Sequence, residues 1–259
     1  MIQISSLQNP TVRGWREWTA SRGQRDLDGI FQADGEHMVQ EAIRCGCVES
    51  LLVTESGAER YGAYISAAPH DRVYLVSERI LTALSSTKTP QGIMAFCKRL
   101  PPRQTPAYPD LRVALNAVQD PGNVGTIIRT MDAAGFGTLY IDQGCADPYA
   151  PKTSRATMGG IFRVPIVASK CLADDLKALQ RDGFKLIAGD LRGDDLFQRK
   201  PIGDRAVIMI GNEGQGLSED LRALADTRIR IPMPGSAESL NAAVSAGILI
   251  YDLLRETLG

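Results

Sequence analysis

The sequence predicts an α/β protein with a mainly parallel sheet in its larger C-terminal part, preceded by a smaller α/β module. From residue 113 onward, strand-like runs alternate with helical text, the pattern of βαβ units with helices on both faces of a sheet. The 259 residues are 44% hydrophobic, enough for one large or two modest cores. Between them, Lys98 to Pro109 carries Pro101, Pro102, Pro106 and Pro109 with little apolar periodicity, which marks a break. The predicted division is a domain over 1–98, a Pro-rich linker over 99–110 and a second domain over 111–259.

Upstream of the break, helix-like text at 11–20 and 35–45 alternates with strand-like text at 50–54, 73–76 and 92–98. Downstream, strands are expected at 113–118, 138–142, 163–168, 185–189, 206–210 and 228–231, and helices at 126–134, 173–181, 218–225 and 239–258. In the last helix Leu240, Val244, Gly247, Ile248, Tyr251, Leu254 and Leu258 recur near the helical period, and Ile250 and Leu253 widen that face. Ala242, Ala243, Ala246 and Gly247 permit close approach of another element. A buried core helix and a dimer contact both fit this pattern.

Composition excludes several functions. The longest nearly apolar stretch, Ala242 to Tyr251, is far short of the roughly 18 residues of a membrane span. The N-terminal text has neither the basic segment nor the apolar core of a signal peptide, so a cytoplasmic location is expected. Cys45, Cys47, Cys97, Cys145 and Cys171 lack the spacing of a redox or zinc pair and read as reduced structural thiols. With only His37 and His70, a histidine-rich metal site is impossible, and no metal is expected. A net charge of −1 gives no global footprint for nucleic acid. Any such contact must use local patches: Arg13, Arg16, Arg22 and Arg25; Lys98, Arg99 and Arg103; or Lys152, Arg155 and Arg163. Taken singly, each is an ordinary surface charge.

Three segments carry the chemistry. The first, Asn116-Ala-Val-Gln-Asp-Pro-Gly-Asn-Val-Gly-Thr-Ile-Ile-Arg129, runs from a strand into a helix, which places Asn123 and Gly125 at the carboxyl edge of a parallel sheet. The second, Ile210-Gly-Asn-Glu-Gly-Gln-Gly-Leu217, has no Walker lysine, and Glu213 would repel a phosphate, so its backbone suits a neutral or zwitterionic ligand. The third, Ile231-Pro-Met-Pro-Gly-Ser-Ala-Glu-Ser-Leu-Asn241, presents Ser239, Leu240 and Asn241 at the expected start of the last helix. Capping alone would explain Asn123, Ser239 and Asn241 individually.

In order and spacing these three segments resemble the signatures of the SpoU family of RNA ribose 2′-O-methyltransferases. Pro151-Lys-Thr-Ser-Arg-Ala-Thr-Met-Gly-Gly-Ile-Phe-Arg-Val-Pro165 is similar to the family's intervening basic segment. Ser6-Leu-Gln-Asn-Pro10, Phe31-Gln-Ala-Asp-Gly35 and Leu84-Ser-Ser-Thr-Lys-Thr-Pro-Gln-Gly-Ile93 resemble its ribosomal-protein-like substrate-binding domain, with Asp34 where relatives commonly have Glu. The resemblance implies a SPOUT-type α/β knot, S-adenosyl-L-methionine as cofactor, an RNA substrate and a homodimer. Carried over, Gly211, Ile231 and Leu240 would hold the cofactor. Arg129, Asn123, Glu213, Ser239 and Asn241 would form the catalytic set, and Arg13, Arg16, Lys88, Lys152 and Arg155 would contact RNA.

The resemblance assigns the key role to Arg129, sometimes as a base. A guanidinium keeps its proton in proteins, so stabilisation of the developing alkoxide and of an adjacent phosphate is the preferred reading. The expected target is 23S rRNA. A tRNA methyltransferase, an antibiotic-resistance rRNA methylase and a non-catalytic RNA-binding ribosome factor are the competing readings.

Overall fold

The computed structural model describes residues 1–101 and 105–258 and divides into two compact units, Met1–Arg103 with Asp147–Phe162 and Gln104–Ala146 with Arg163–Gly259. The single break expected at 99–110 does not account for the segment at 147–162, which groups with the N-terminal unit. Arg103 and part of the expected linker lie outside the described residues. The described ends of that linker are tied down: Arg99 N donates to Gly29 O at 2.7 Å, and Tyr108 N to Gly135 O at 2.8 Å.

The first unit contains β1 (Ile2–Ile4), α1 (Pro10–Ala20), α2 (Arg22–Asp28), β2 (Ile30–Asp34), α3 (Glu36–Cys45), β3 (Val48–Val53), α4 (Glu55–Arg60), α5 (Gly62–Ala67), β4 (Val73–Val76), α6 (Glu78–Leu84) and β5 (Ile93–Lys98). The strands form a mixed sheet in the order β1-β4-β3-β5-β2. Asn9 caps α1 by accepting from Thr11 N, and Pro10 begins the helix where its missing N–H costs nothing. That orientation buries Val12 and Trp15, and Trp15 stacks on Phe96 of β5 with ring centroids 6.1 Å apart.

The second unit is built on β6 (Leu111–Leu115), α7 (Pro121–Ala134) and β7 (Leu139–Ile141). The chain then supplies α8 (Pro151–Ala156) to the first unit, where Ser154 Oγ donates 3.0 Å to Gln32 O on the edge strand β2. In that unit Arg25 pairs with Asp147 at 2.6 Å, both nearly buried, and Phe31 packs on Phe162. The second unit resumes with β8 (Ile166–Ala168), α9 (Leu172–Arg181), β9 (Lys185–Asp195), β10 (Ala206–Ile210), α10 (Glu219–Ala223), β11 (Thr227–Arg230) and α11 (Ala242–Leu258). No described helix is long and apolar enough to cross a membrane.

The six strands of this unit are all parallel, in the order β11-β9-β10-β6-β7-β8. Ala114, Leu186, Ala188, Val207 and Met209 meet Leu172, Leu176 and Leu179 of α9 and Leu221 of α10 on one face. Side chains one residue along each strand point the other way, where α11 packs against β10 and α7. The strand β9 runs six residues beyond its predicted end. Its pairing with β11 jumps from Ala188 opposite Arg228 to Asp194 opposite Ile229, so residues 189–193 swing out of the ladder. At Gly193 a side chain would strike the Arg228–Ile229 backbone, which fixes where the excursion returns.

Candidate active site

The excursion within β9 and the loops that leave the carboxyl ends of β10 and β11 enclose, with the start of α11, a cleft of about 420 Å³. This is the edge at which open parallel sheets collect ligands. Gly211, Glu213, Ile231, Ser239 and Leu240 all line it, so the two later predicted segments meet as expected.

The glycine loop is shaped by its own backbone. Asn212 and Gly216 exchange N–H···O bonds of 3.0 and 2.8 Å, and the Asn212 side chain accepts from Gly214 N and Gln215 N in an Asx turn. Its amide nitrogen donates to Ala117 O at 3.0 Å. A side chain at Gly211 would collide with the Gly216–Leu217 backbone, so that glycine is required by the loop's closure. Ala117, held at φ 54 in the left-handed region, has its N–H bound by Asp142, and Asn116 ties Asp142 to Ser218 N. The framework residues Asn116, Asp142 and Asn212 were not singled out from sequence, although an asparagine inside a glycine-rich turn is the mark of an Asx turn.

The first segment differs from its predicted form. The helix α7 begins at Pro121, five residues early, because Asp120 rather than Asn123 caps it, accepting from Asn123 N at 2.9 Å. That frees the Asn123 side chain in the first turn. The last helix begins at Ala242, not at 239, because Asn241 caps it: its Oδ1 accepts from Ala243 N and Val244 N at 2.9 and 3.3 Å. Ser239 and Leu240 therefore stand outside the helix, on the cleft wall.

These caps fix the direction of a hydrogen-bond chain. Because Asn241 Oδ1 faces its own helix, Nδ2 must donate outward, and it reaches Asn123 Oδ1 at 2.9 Å. Asn123 Nδ2 then donates to Glu213 Oε1 at 2.6 Å. Glu213 joins this chain to the cleft. Arg129 does not join it; the side chain is exposed on α7 with no hydrogen bond or ion pair among the described residues.

The predicted RNA-contacting residues Arg13, Arg16, Lys88, Lys152 and Arg155 are all exposed and all belong to the first unit. Other candidate cations are engaged. Arg25 is buried against Asp147, Arg99 pairs with Asp26 at 2.7 Å, and Arg163 pairs with Asp132 at 2.8 Å. Burial pushes the Asp34 carboxyl up, opposed by the Ser85 hydroxyl that donates to it at 2.6 Å and by the charge of Arg155.

Strand ends, a self-closed glycine loop and a capped helix start converging on one cleft define an α/β enzyme domain of the nucleotide-cofactor type. The family model described as the SpoU rRNA Methylase family matches residues 110–251, and the MRM3-like substrate binding domain matches residues 9–95. The chain belongs to the SpoU rRNA methylase family. It is 34% identical over 98% of its length to 99% of the 23S rRNA (guanosine(2553)-2′-O)-methyltransferase RlmP of Bacillus subtilis. Two solved structures are similar throughout. An AdoMet-bound rRNA methyltransferase from Sinorhizobium meliloti is 32% identical with a TM-score of 0.82, over 99% of this chain and 98% of that one. The SpoU methyltransferase AviRb from Streptomyces viridochromogenes, in complex with AdoMet, is 28% identical with a TM-score of 0.82, over 97% and 99%.

Proposed function

We propose that this chain transfers a methyl group from S-adenosylmethionine to a ribose 2′-hydroxyl of 23S rRNA in the cytoplasm. The observation that carries the reading is the Asn241–Asn123–Glu213 chain ending at a cleft of cofactor size. The residues present fit the cofactor: Gly211, Ile231 and Leu240 line the cleft, where backbone groups suit the polar rim of an adenine, and no lysine lines the cleft to demand a triphosphate. When bound, the cofactor supplies an electrophilic methyl group on a sulfonium.

The chain's own residues position the hydroxyl and manage its proton. Glu213, oriented through one carboxylate oxygen by Asn123, receives the proton. Asn241 and Ser239 set the rim against which the ribose rests. Arg129, permanently charged and free of protein partners among the described residues, stabilises the alkoxide and the adjoining phosphate.

A homodimer and a knotted C-terminal thread belong to the same proposal. The dimer is supported by Val244, Tyr251 and Leu258, which repeat every seven residues along α11 and are 50%, 50% and 69% exposed. The knot is supported by family membership. The first unit is the RNA-binding part: Arg13, Arg16, Lys88, Lys152 and Arg155 are exposed on it, and the MRM3-like substrate binding domain matches within it. The test combines calorimetry of the full-length protein with S-adenosylmethionine and mapping of methyl groups on unmodified 23S rRNA. Cofactor binding in the absence of RNA and one new 2′-O-methyl nucleotide are expected; a folded protein that binds no cofactor would sink the proposal.

A further inference from the structure

Two acidic residues on the cleft wall have no part in the proposed reaction, Glu238 and Asp190, and of these Asp190 carries a buried oxygen without a hydrogen-bond donor. Asp190 is the second residue of the excursion from β9, and β9 lies between β10 and β11 in the sheet. Its side chain therefore stands between the strand ends that lead to Gly211 and Ile231. Asp190 Oδ1 turns back to accept from Arg192 N at 2.9 Å, within the excursion itself. Asp190 Oδ2 is buried on the cleft wall and has no hydrogen-bond donor; its nearest cation is Arg222 Nε at 3.4 Å. Arg222 places its other nitrogens on Leu217 O and Glu219.

A buried carboxylate oxygen without a donor costs stability unless a ligand supplies one. We infer that Asp190 is a ligand-binding residue whose Oδ2 accepts a hydrogen bond from a ribose hydroxyl of the adenosyl cofactor. The charge around it selects the donor. Arg222 lies 3.4 Å from Asp190 Oδ2, so a cationic ammonium would meet a carboxylate whose charge is already offset, whereas a neutral hydroxyl meets an oxygen with no donor. Position agrees: Asp190 lies on the strand between the two that lead to Gly211 and Ile231, and all three residues line the one cleft. The excursion thus has a use, since a regular β9 would continue its ladder and leave no acceptor at this point.

The inference rests on the cofactor reading above, and the experiment separates the two. Full-length wild-type protein and Asp190→Ala are titrated calorimetrically with S-adenosylhomocysteine, its 2′-deoxy and 3′-deoxy adenosyl analogues, and an analogue lacking the amino group. Wild type should bind at least one deoxy analogue roughly 10- to 100-fold more weakly than S-adenosylhomocysteine. Asp190→Ala should lose a similar factor on S-adenosylhomocysteine, and the two losses should not multiply when combined. Asp190→Asn, which keeps a carbonyl oxygen, should fall between. Wild type that binds both deoxy analogues as tightly as S-adenosylhomocysteine overturns the assignment, even where the variants fail to fold. So do losses that multiply fully, or a loss confined to the analogue without the amino group. Absence of any S-adenosylhomocysteine binding by the wild type instead overturns the methyltransferase reading itself.

Discussion

Asn123 stands between Asn241 and Glu213, accepting from the first at 2.9 Å and donating to the second at 2.6 Å, although 118 and 90 residues separate it from them in sequence. The two bonds have a fixed polarity because the amide of Asn241 is oriented by the helix it caps. A variant can therefore remove the outward donor and keep the cap. Asn241→Asp is expected to leave the unfolding midpoint nearly unchanged while lowering single-turnover methyl transfer roughly tenfold, the worth of one hydrogen bond. Asn241→Ala loses the cap as well and should destabilise by about 1 kcal/mol. Denaturant unfolding beside rapid-quench methyl transfer checks both.

Arg129 and Glu213 should fail differently. Arg129→Ala is expected to lose about 10²–10³ in methyl-transfer rate with cofactor affinity nearly intact, and Arg129→Lys to recover part of it. Glu213→Gln keeps the size of the side chain and an oxygen for Asn123 but removes the proton acceptor, so its rate should drop with little change in fold. A Glu213→Gln protein with the wild-type rate would leave solvent or an RNA phosphate to take the proton.

Five of the exposed cations of the first unit predict a salt signature. If Arg13, Arg16, Lys88, Lys152 and Arg155 contact phosphates, neutralising each should reduce the slope of log K against log[salt] by about 0.7 to 0.9. Filter binding of an rRNA fragment across a salt series reads it. An unchanged slope at any position removes that residue from the interface.

Cys145 offers a pH-dependent reporter. Burial, and secondarily the Asp142 carboxylate, pushes its thiol up to about 12 from an ordinary 9.0. The folded state thus holds a proton that the unfolded state releases. The stabilising contribution is complete below the unfolded value and disappears as pH rises from about 9 to about 12. Thiol-specific labelling at pH 8 should modify the exposed Cys171 and spare Cys145 until the protein is denatured. Labelling of Cys145 at the rate of Cys171 would contradict its burial.

The parts legible in sequence were those whose apolar pattern matches their burial. β10 is five consecutive buried residues, and its text, Ala-Val-Ile-Met-Ile, says so. β2 is equally buried, yet Gln32 and Asp34 interrupt its apolar run and hide the strand. Both are satisfied from a distance, by Leu84 O and by Ser85, and no local pattern reports such partners. The same limit hid Asp190: strand text stops at Gly189, and a ladder that resumes five residues later is visible only once β11 is paired with it. At the site, the glycine loop and the segment before α11 meet at one sheet edge, but two capping residue types two positions apart, Ser239 and Asn241, place the expected start of α11 at the first where the geometry uses the second.

The assignment of residues 147–162 to the first unit bears on how the chain can be made and cut. Asp147 neutralises a buried Arg25, Phe162 covers Phe31, and Ser154 satisfies a carbonyl of an edge strand. During synthesis, the N-terminal unit therefore cannot finish folding when residue 98 or 110 leaves the ribosome. It must wait until about 160 residues have emerged, by which time β6, α7 and β7 are already outside. A truncation at the proline-rich segment would yield a front piece with an open edge strand and an unpaired guanidinium, and a back piece carrying a loop stripped of its packing surface. The two units are distinct bodies, but they are a single translational and proteolytic entity.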